Sequence, residues 1–160
     1  MRGQVSYGRG RRMLLSGITN RTNEAKVSIE SLISRDLLRT TADATVSDVA
    51  TTMISMASGS VLVFDAQKLV GVITLRDIVR AALAEPDITQ VPVKKYMTSQ
   101  PWVVSPGWTV TDIAARMINH NIEHVPVVQD GEVVGILSSF DLVAYLALQG
   151  QGEADAPKGH

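Results

Sequence analysis

The chain has no cysteine, which removes a disulfide framework, a thiolate nucleophile and any Cys-based zinc site. No stretch approaches the roughly 18 apolar residues that a membrane span needs. Near the N-terminus, Met13-Leu14-Leu15 is too short an apolar core for a secretory signal. The glycines form neither a Walker loop nor a G-x-G-x-x-G turn, and no serine stands in a G-x-S-x-G elbow. These gaps point to a cytoplasmic protein that is not an enzyme and holds no tightly bound cofactor.

What is present is ordinary for a globular chain: 160 residues, 45% apolar and 19% charged. That length makes one domain or two small ones. The net charge of −1 is unevenly spread. Residues 1–26 carry Arg2, Arg9, Arg11, Arg12, Arg21 and Lys26 against Glu24 alone, so this arm is +5 and the remainder −6. Four glycines dilute any helix in it, and it reads as flexible. A basic arm can bind nucleic acid. With no aromatic but Tyr7 beside its charges, a solubilising tail is the better reading, and nucleic acid is an unlikely partner. Residues 149–160, polar and glycine-rich, read as a second tail.

Between the tails the chain repeats itself. Gly71-Val72-Ile73-Thr74-Leu75-Arg76-Asp77 returns sixty-four residues later as Gly135-Ile136-Leu137-Ser138-Ser139-Phe140-Asp141. At the same offset, Thr45 to Ile54 matches Thr109 to Ile118 without a gap. Val46, Val49, Ala50, Met53 and Ile54 line one face of an amphipathic helix, and Val110, Ile113, Ala114, Met117 and Ile118 repeat it. Thr45 or Ser47, and Thr109 or Thr111, are ready N-caps. A short apolar run, a polar turn and a second run follow each helix, the pattern of a hairpin. A further helix comes after each motif, over 75–83 and 139–148. Extended pieces at Leu37 to Thr41 and Trp102 to Ser105 lead each unit. The prediction is two β-α-β-β-α units, 27–84 and 93–148, joined by a linker over 85–92 that contains Pro86 and Pro92. Each is too small for a comfortable core of its own, so the two should pack through their sheets.

Each motif runs from a strand into a helix, with Thr74 or Ser138 at the N-cap and Asp77 or Asp141 at N3. Such a corner offers unpaired amides and the positive end of a helix dipole to an anion, and its carboxylate can accept from a sugar diol. The same spacing also describes a capping box, in which the acid reaches back to the N-cap amide.

The early helix, the hairpin whose second copy reads Val125-Pro126-Val127-Val128, and the doubled G-h-h-[ST]-x-x-D together resemble a tandem CBS domain, the Bateman module. The resemblance covers about residues 29–148. It implies a mixed α/β fold of two pseudo-symmetric units with clefts for adenosine-containing ligands: AMP, ADP, ATP or S-adenosylmethionine. It assigns ribose to Asp77 and Asp141, and phosphate to Thr74 and Ser138. The adenine would be flanked by Thr40, Thr41, Ser60, Val61 and Val63 in the first unit. Val104, Ser105, His124, Val125, Pro126 and Val127 take those places in the second. Arg76 beside Asp77 can reach a phosphate as a charged fork. Phe140 stands in that place in the second unit, which has His124 near the cleft instead, so the first corner is expected to be the stronger for a charged nucleotide.

His120-Asn121-Ile122-Glu123-His124 fits the pattern H-x-x-E-H. The helical period ends near Asn119 and a strand begins at Val125, so the histidines should not share a helix face. Trp102 and Trp108 read as core-edge or subunit-contact residues. Residues 142–148 are apolar all round a helix and 78–84 nearly so, which calls for a second covering surface, most simply a homodimer. The leading reading is a ligand-sensing regulatory module acting on some regulated protein. Its rivals are a structural adaptor with empty clefts and a nucleic-acid binder working through the basic arm.

Overall fold

The computed structural model describes residues 29–151. The basic arm over 1–26 lies outside the described residues, as does the tail from 152 onward.

The amphipathic stretches form helices where their period places them. Helix α1 spans Val46–Ser55 and α3 spans Val110–His120. Thr45 caps the first, accepting from the Asp48 amide at 3.1 Å, and Thr109 caps the second, accepting from the Asp112 amide at 3.2 Å. Val46, Val49 and Met53 are buried on α1, and Val110, Ile113 and Met117 on α3. Helix α2 is Leu75–Ala84 and α4 is Ser139–Gln151, which carries the last helix three residues past the expected end.

Strand β1 (Arg39–Thr41) pairs parallel with β2 (Ser60–Asp65). Strand β2 forms an antiparallel hairpin with β3 (Lys68–Thr74), and β4 (Thr98–Ser99) adds to the far edge of β3. The second hairpin is β5 (His124–Gln129) with β6 (Glu132–Ser138). Its register copies the first at the offset of the repeat: Ser60 faces Thr74, and His124 faces Ser138. Even the irregularity is copied, between Val63 and Phe64 in one hairpin and between Val127 and Val128 in the other. The turns between the paired runs are tight. Ala66 and Asp130 take positive φ (51° and 52°), so two-residue loops close both hairpins.

The described chain forms two compact units. One holds residues 33–106 and 124–138, and therefore both hairpins with α1 and α2. Val49, Met53, Val61, Val63, Ile73 and Val93 make a buried cluster in it. A second cluster of Leu62, Phe64 and Val72 packs against Leu37, Leu69, Val133 and Ile136, so the two hairpins meet through apolar side chains. Each such side chain taken fully out of water contributes about 1.5–3 kcal/mol. The other unit holds α3, α4 and residues 29–32.

Within the hairpin-bearing unit the lead segments are exchanged between repeats. Thr98, in the lead segment of the second repeat, pairs with Val72 of the first. Ser34, in the lead segment of the first, bridges Ile136 of the second. The motif glycines make room for this crossing. A Cβ on Gly71 would lie 2.5 Å from Met97 Sδ, and one on Gly135 would lie 1.8 Å from Ile33 Cγ2 and 2.8 Å from the Ser34 carbonyl oxygen. The opening glycine of the motif is thus a packing requirement between strand and crossing segment.

Candidate functional site

The corner at the start of α2 is built by two backbone constraints. Ser60 faces Thr74 in the β2–β3 ladder, and the Leu75 amide donates to the Gly59 carbonyl at 3.1 Å. The chain leaves the strand in extended geometry at Thr74 (φ −119°, ψ 167°) and enters the helix at Leu75. Asp77 is then carried back over the helix start. Its Oδ2 accepts from the Thr74 amide at 3.0 Å and from Thr74 Oγ1 at 2.8 Å. Its Oδ1 accepts from Arg80 Nη1 at 3.0 Å. The carboxylate is only 8% exposed while the Arg80 side chain is 64% exposed. Asp77 is therefore a cap, held additionally by an ion pair to a residue that the sequence reading did not single out. The i, i+3 spacing of Asp77 and Arg80 is the signal that could have found it.

The corresponding backbone contact recurs at the start of α4, where the Ser139 amide donates to the Glu123 carbonyl at 2.9 Å. Ser138 closes β6, and Asp141 lies half-buried in the first turn of α4. Phe140 is 75% exposed.

The expected flanks divide into side chains that can meet a ligand and side chains that cannot. Val61, Val63, Val104 and Val125 are fully or almost fully buried, and Pro126 is buried too. The Pro126 carbonyl and the Val128 amide already bond the Val104 amide and carbonyl, at 3.1 and 2.7 Å. Ser60 is buried, Thr40 half-buried, and Thr41, Arg76 and Ser105 exposed. His124 is brought against the first repeat: a Cβ on Gly59 would stand 3.0 Å from both its Cε1 and Nε2. A side chain at position 59 would press on the imidazole, which would have to give by a few tenths of an ångström. Helix α3 ends at His120, and Asn121 takes left-handed geometry (φ 55°) before β5 starts at His124. The two histidines of the H-x-x-E-H pattern therefore sit on different elements. Trp102 and Trp108 are half-buried.

Beside this region lies a cavity of about 640 Å³, lined by Ser34, Arg35, Asp36, Leu37, Leu38, Met56, Ala57 and Ser58. That volume falls within the range of small-molecule sites, about 300–1,000 Å³. Its walls are the segment before β1 and the turn between α1 and β2. The turn is stiffened where Ser58 Oγ donates to the Ser60 carbonyl at 2.8 Å. One residue further, Gly59 meets both Leu75 and His124. None of these lining residues was among the sequence-based candidates, which begin at Thr40 and Ser60 on the strands that continue from them.

With this geometry in hand, the match to known proteins is direct. The family model of the CBS domain matches residues 29–84 and again residues 93–148. The chain belongs to the CBS-domain family. An uncharacterized 17.7 kDa protein of Acidianus ambivalens is 39% identical over 104 residues, covering 64% of this chain and 62% of that protein. The uncharacterized protein MJ1225 of Methanocaldococcus jannaschii is 33% identical over 98 residues, covering 61% of this chain and 35% of that one. The chain thus matches less than two thirds of the length of these relatives. Among solved structures, the CBS domain pair of protein MJ0100, determined in complex with 5'-methylthioadenosine and S-adenosyl-L-methionine, is 25% identical with a TM-score of 0.68. It covers 75% of this chain and 99% of that one. No helix among the described residues is long and apolar enough to cross a membrane.

Proposed function

We propose that this CBS pair is a non-catalytic sensor of an adenosine-containing ligand, of the AMP, ADP, ATP or S-adenosylmethionine class, and that it acts in the cytoplasm on a regulated protein. The observation that carries this reading is the cavity of about 640 Å³, joined through the Ser58–Gly59 turn to the start of α2 and to His124. The mixed apolar and polar wall of Leu37, Leu38, Met56 and Ser58 supports a purine as the base held there. The Thr74 and Ser138 corners offer helix N-termini to phosphate, and Asp77 and Asp141 offer acceptors to ribose. The solved relative with 5'-methylthioadenosine and S-adenosyl-L-methionine supports the adenosyl class. A ligand that binds only the folded state raises the melting temperature, the more so the further its concentration exceeds its Kd. Thermal-shift measurement with the four ligands is the test; no shift from any of them at millimolar concentration would leave the adaptor reading in its place.

The same proposal includes a homodimer. Leu75, Val79 and Leu83 recur at every fourth residue of α2 and are 48%, 57% and 84% exposed. On α4, Phe140, Val143 and Leu146 are 75%, 61% and 49% exposed. Apolar stripes of this kind on two helices are the usual material of a subunit contact. Light scattering at micromolar concentration should give twice the chain mass, and a monomer mass would remove this part of the proposal.

A further inference from the structure

The Asp77 carboxylate has little accepting capacity left. Oδ2 already serves two donors of Thr74, and Oδ1 serves the Arg80 guanidinium. An ionised carboxylate has about four acceptor positions, so about one remains. A ribose diol that donates two hydrogen bonds must therefore displace one donor, the Thr74 hydroxyl or the Arg80 guanidinium, and Arg80 is the more exposed of the two. The guanidinium is the exposed partner of this pair and the carboxylate the buried one. Arg76, four residues earlier, stands on the same face of α2.

We propose that Arg80 is a charge-selective guard of this corner, a specificity-determining residue that favours phosphorylated ribosides over neutral or cationic ones. This rests on the reading of Asp77 as the ribose acceptor. A neutral nucleoside displaces the guanidinium from a carboxylate into water and gives it no new partner. A nucleotide brings its own anion, to which a planar guanidinium can bind through two parallel N–H donors. Arg80 then passes from Asp77 to the phosphate, and the diol takes the freed lone pair. The second repeat has Ala144 at the place of Arg80 and Phe140 at the place of Arg76, so its corner lacks this selection.

The test is calorimetric titration of the full chain, carrying Asp141→Asn throughout so that one corner reports, with AMP, adenosine and 2',3'-dideoxyadenosine. Arg80→Ala is expected to bind adenosine about three- to tenfold more tightly and AMP at least threefold more weakly. The AMP-to-adenosine preference should shrink about tenfold or more. The dideoxynucleoside, with no diol to use the freed oxygen, should gain nothing. Arg80→Lys keeps a charge and should keep most of the preference. If AMP and adenosine bind, and Arg80→Ala leaves their ratio unchanged, the guard is refuted while the ribose reading of Asp77 stands. A purely structural Arg80 would lower both affinities together with the melting temperature, and that outcome also refutes it. If neither ligand binds the parent or the Arg80 variants, the ribose reading falls and the guard with it.

Discussion

At the start of α2, Asp77 stands between Arg76 and Arg80; sixty-four residues on, Asp141 stands between Phe140 and Ala144. The backbone leading to the two acids follows one pattern. Strand, corner and helix follow one another in both, and a helix-start amide is bonded to the carbonyl ahead of the facing strand, Leu75 to Gly59 and Ser139 to Glu123. The side chains beside the acids differ in charge, size and polarity. A buried amide without a partner costs about 1–3 kcal/mol, which ties the backbone pattern to the fold. An exposed flank on a helix costs little to change. On the proposal above, the duplicated scaffold fixes where a ligand is held, and the side chains beside the acids decide which charge it carries.

The crossing segments offer the sharpest way to break the equivalence of the repeats. Both motif glycines lie under a lead segment, yet the neighbours differ in give. At Gly71 the nearest atom is the sulfur of a flexible methionine, at 2.5 Å from a new Cβ. At Gly135 it is the branched Cγ2 of Ile33 at 1.8 Å, with the Ser34 carbonyl oxygen behind it at 2.8 Å. Overpacking of this kind costs about 1–3 kcal/mol. Gly135→Ala should fall at or above the upper end and Gly71→Ala near the lower. Urea unfolding of the two variants measures the difference, and equal midpoints would show that Ile33 and Ser34 yield as readily as Met97.

The corners differ next in what their acids do. Asp77→Asn keeps the size but loses charge-assisted bonds, each worth about 1.5–3 kcal/mol against ~1 for a neutral one. If Asp77 holds ribose, AMP affinity should fall roughly ten- to a hundredfold. Asp141→Asn should do less, and Arg76→Ala should weaken ATP more than adenosine. Calorimetry on folded variants decides this. If Asp77→Asn lowers only the melting temperature, the carboxylate is a helix cap and nothing more.

How much of this could be read from the sequence depended on whether the signal was local and periodic. The helices α1 and α3, both hairpins and the capping geometry of Thr74 and Asp77 follow from spacing within about ten residues. The exchange of lead segments did not show. Ser34 and the two residues of β4 are too short to carry a period, and their partners lie far away in sequence. The cavity was missed for the same reason, since its walls come from two irregular stretches about twenty residues apart. Val61 and Val63 were placed on the right strand, but that strand is covered on both faces, so their side chains went to the core.

The smallest expected effect lies at the joint between the repeats. Glu85, just past α2, accepts from Tyr96 Oη and pairs with Lys95 Nζ at 2.6 Å. The hydrogen bond from Lys95, then that from Tyr96, holds the Glu85 carboxyl below its ordinary value of 4.5, while Glu85 in turn raises Lys95 and Tyr96 above theirs. A depressed acid contributes stability above its unfolded pKa and loses it as pH falls through the lower folded value. A raised lysine or tyrosine contributes below its unfolded pKa and loses it as pH rises through the higher folded one. The clamp should therefore hold between about pH 5 and pH 10 and loosen on either side. Exposed pairs contribute little and are screened by salt, so the effect should be a slight tilt of the stability profile at low ionic strength. Glu85→Gln should remove it at both ends, which denaturant midpoints at pH 4, 7 and 10.5 would show. A variant profile that overlays the parent at all three would mean that the clamp adds no net stability to the joint.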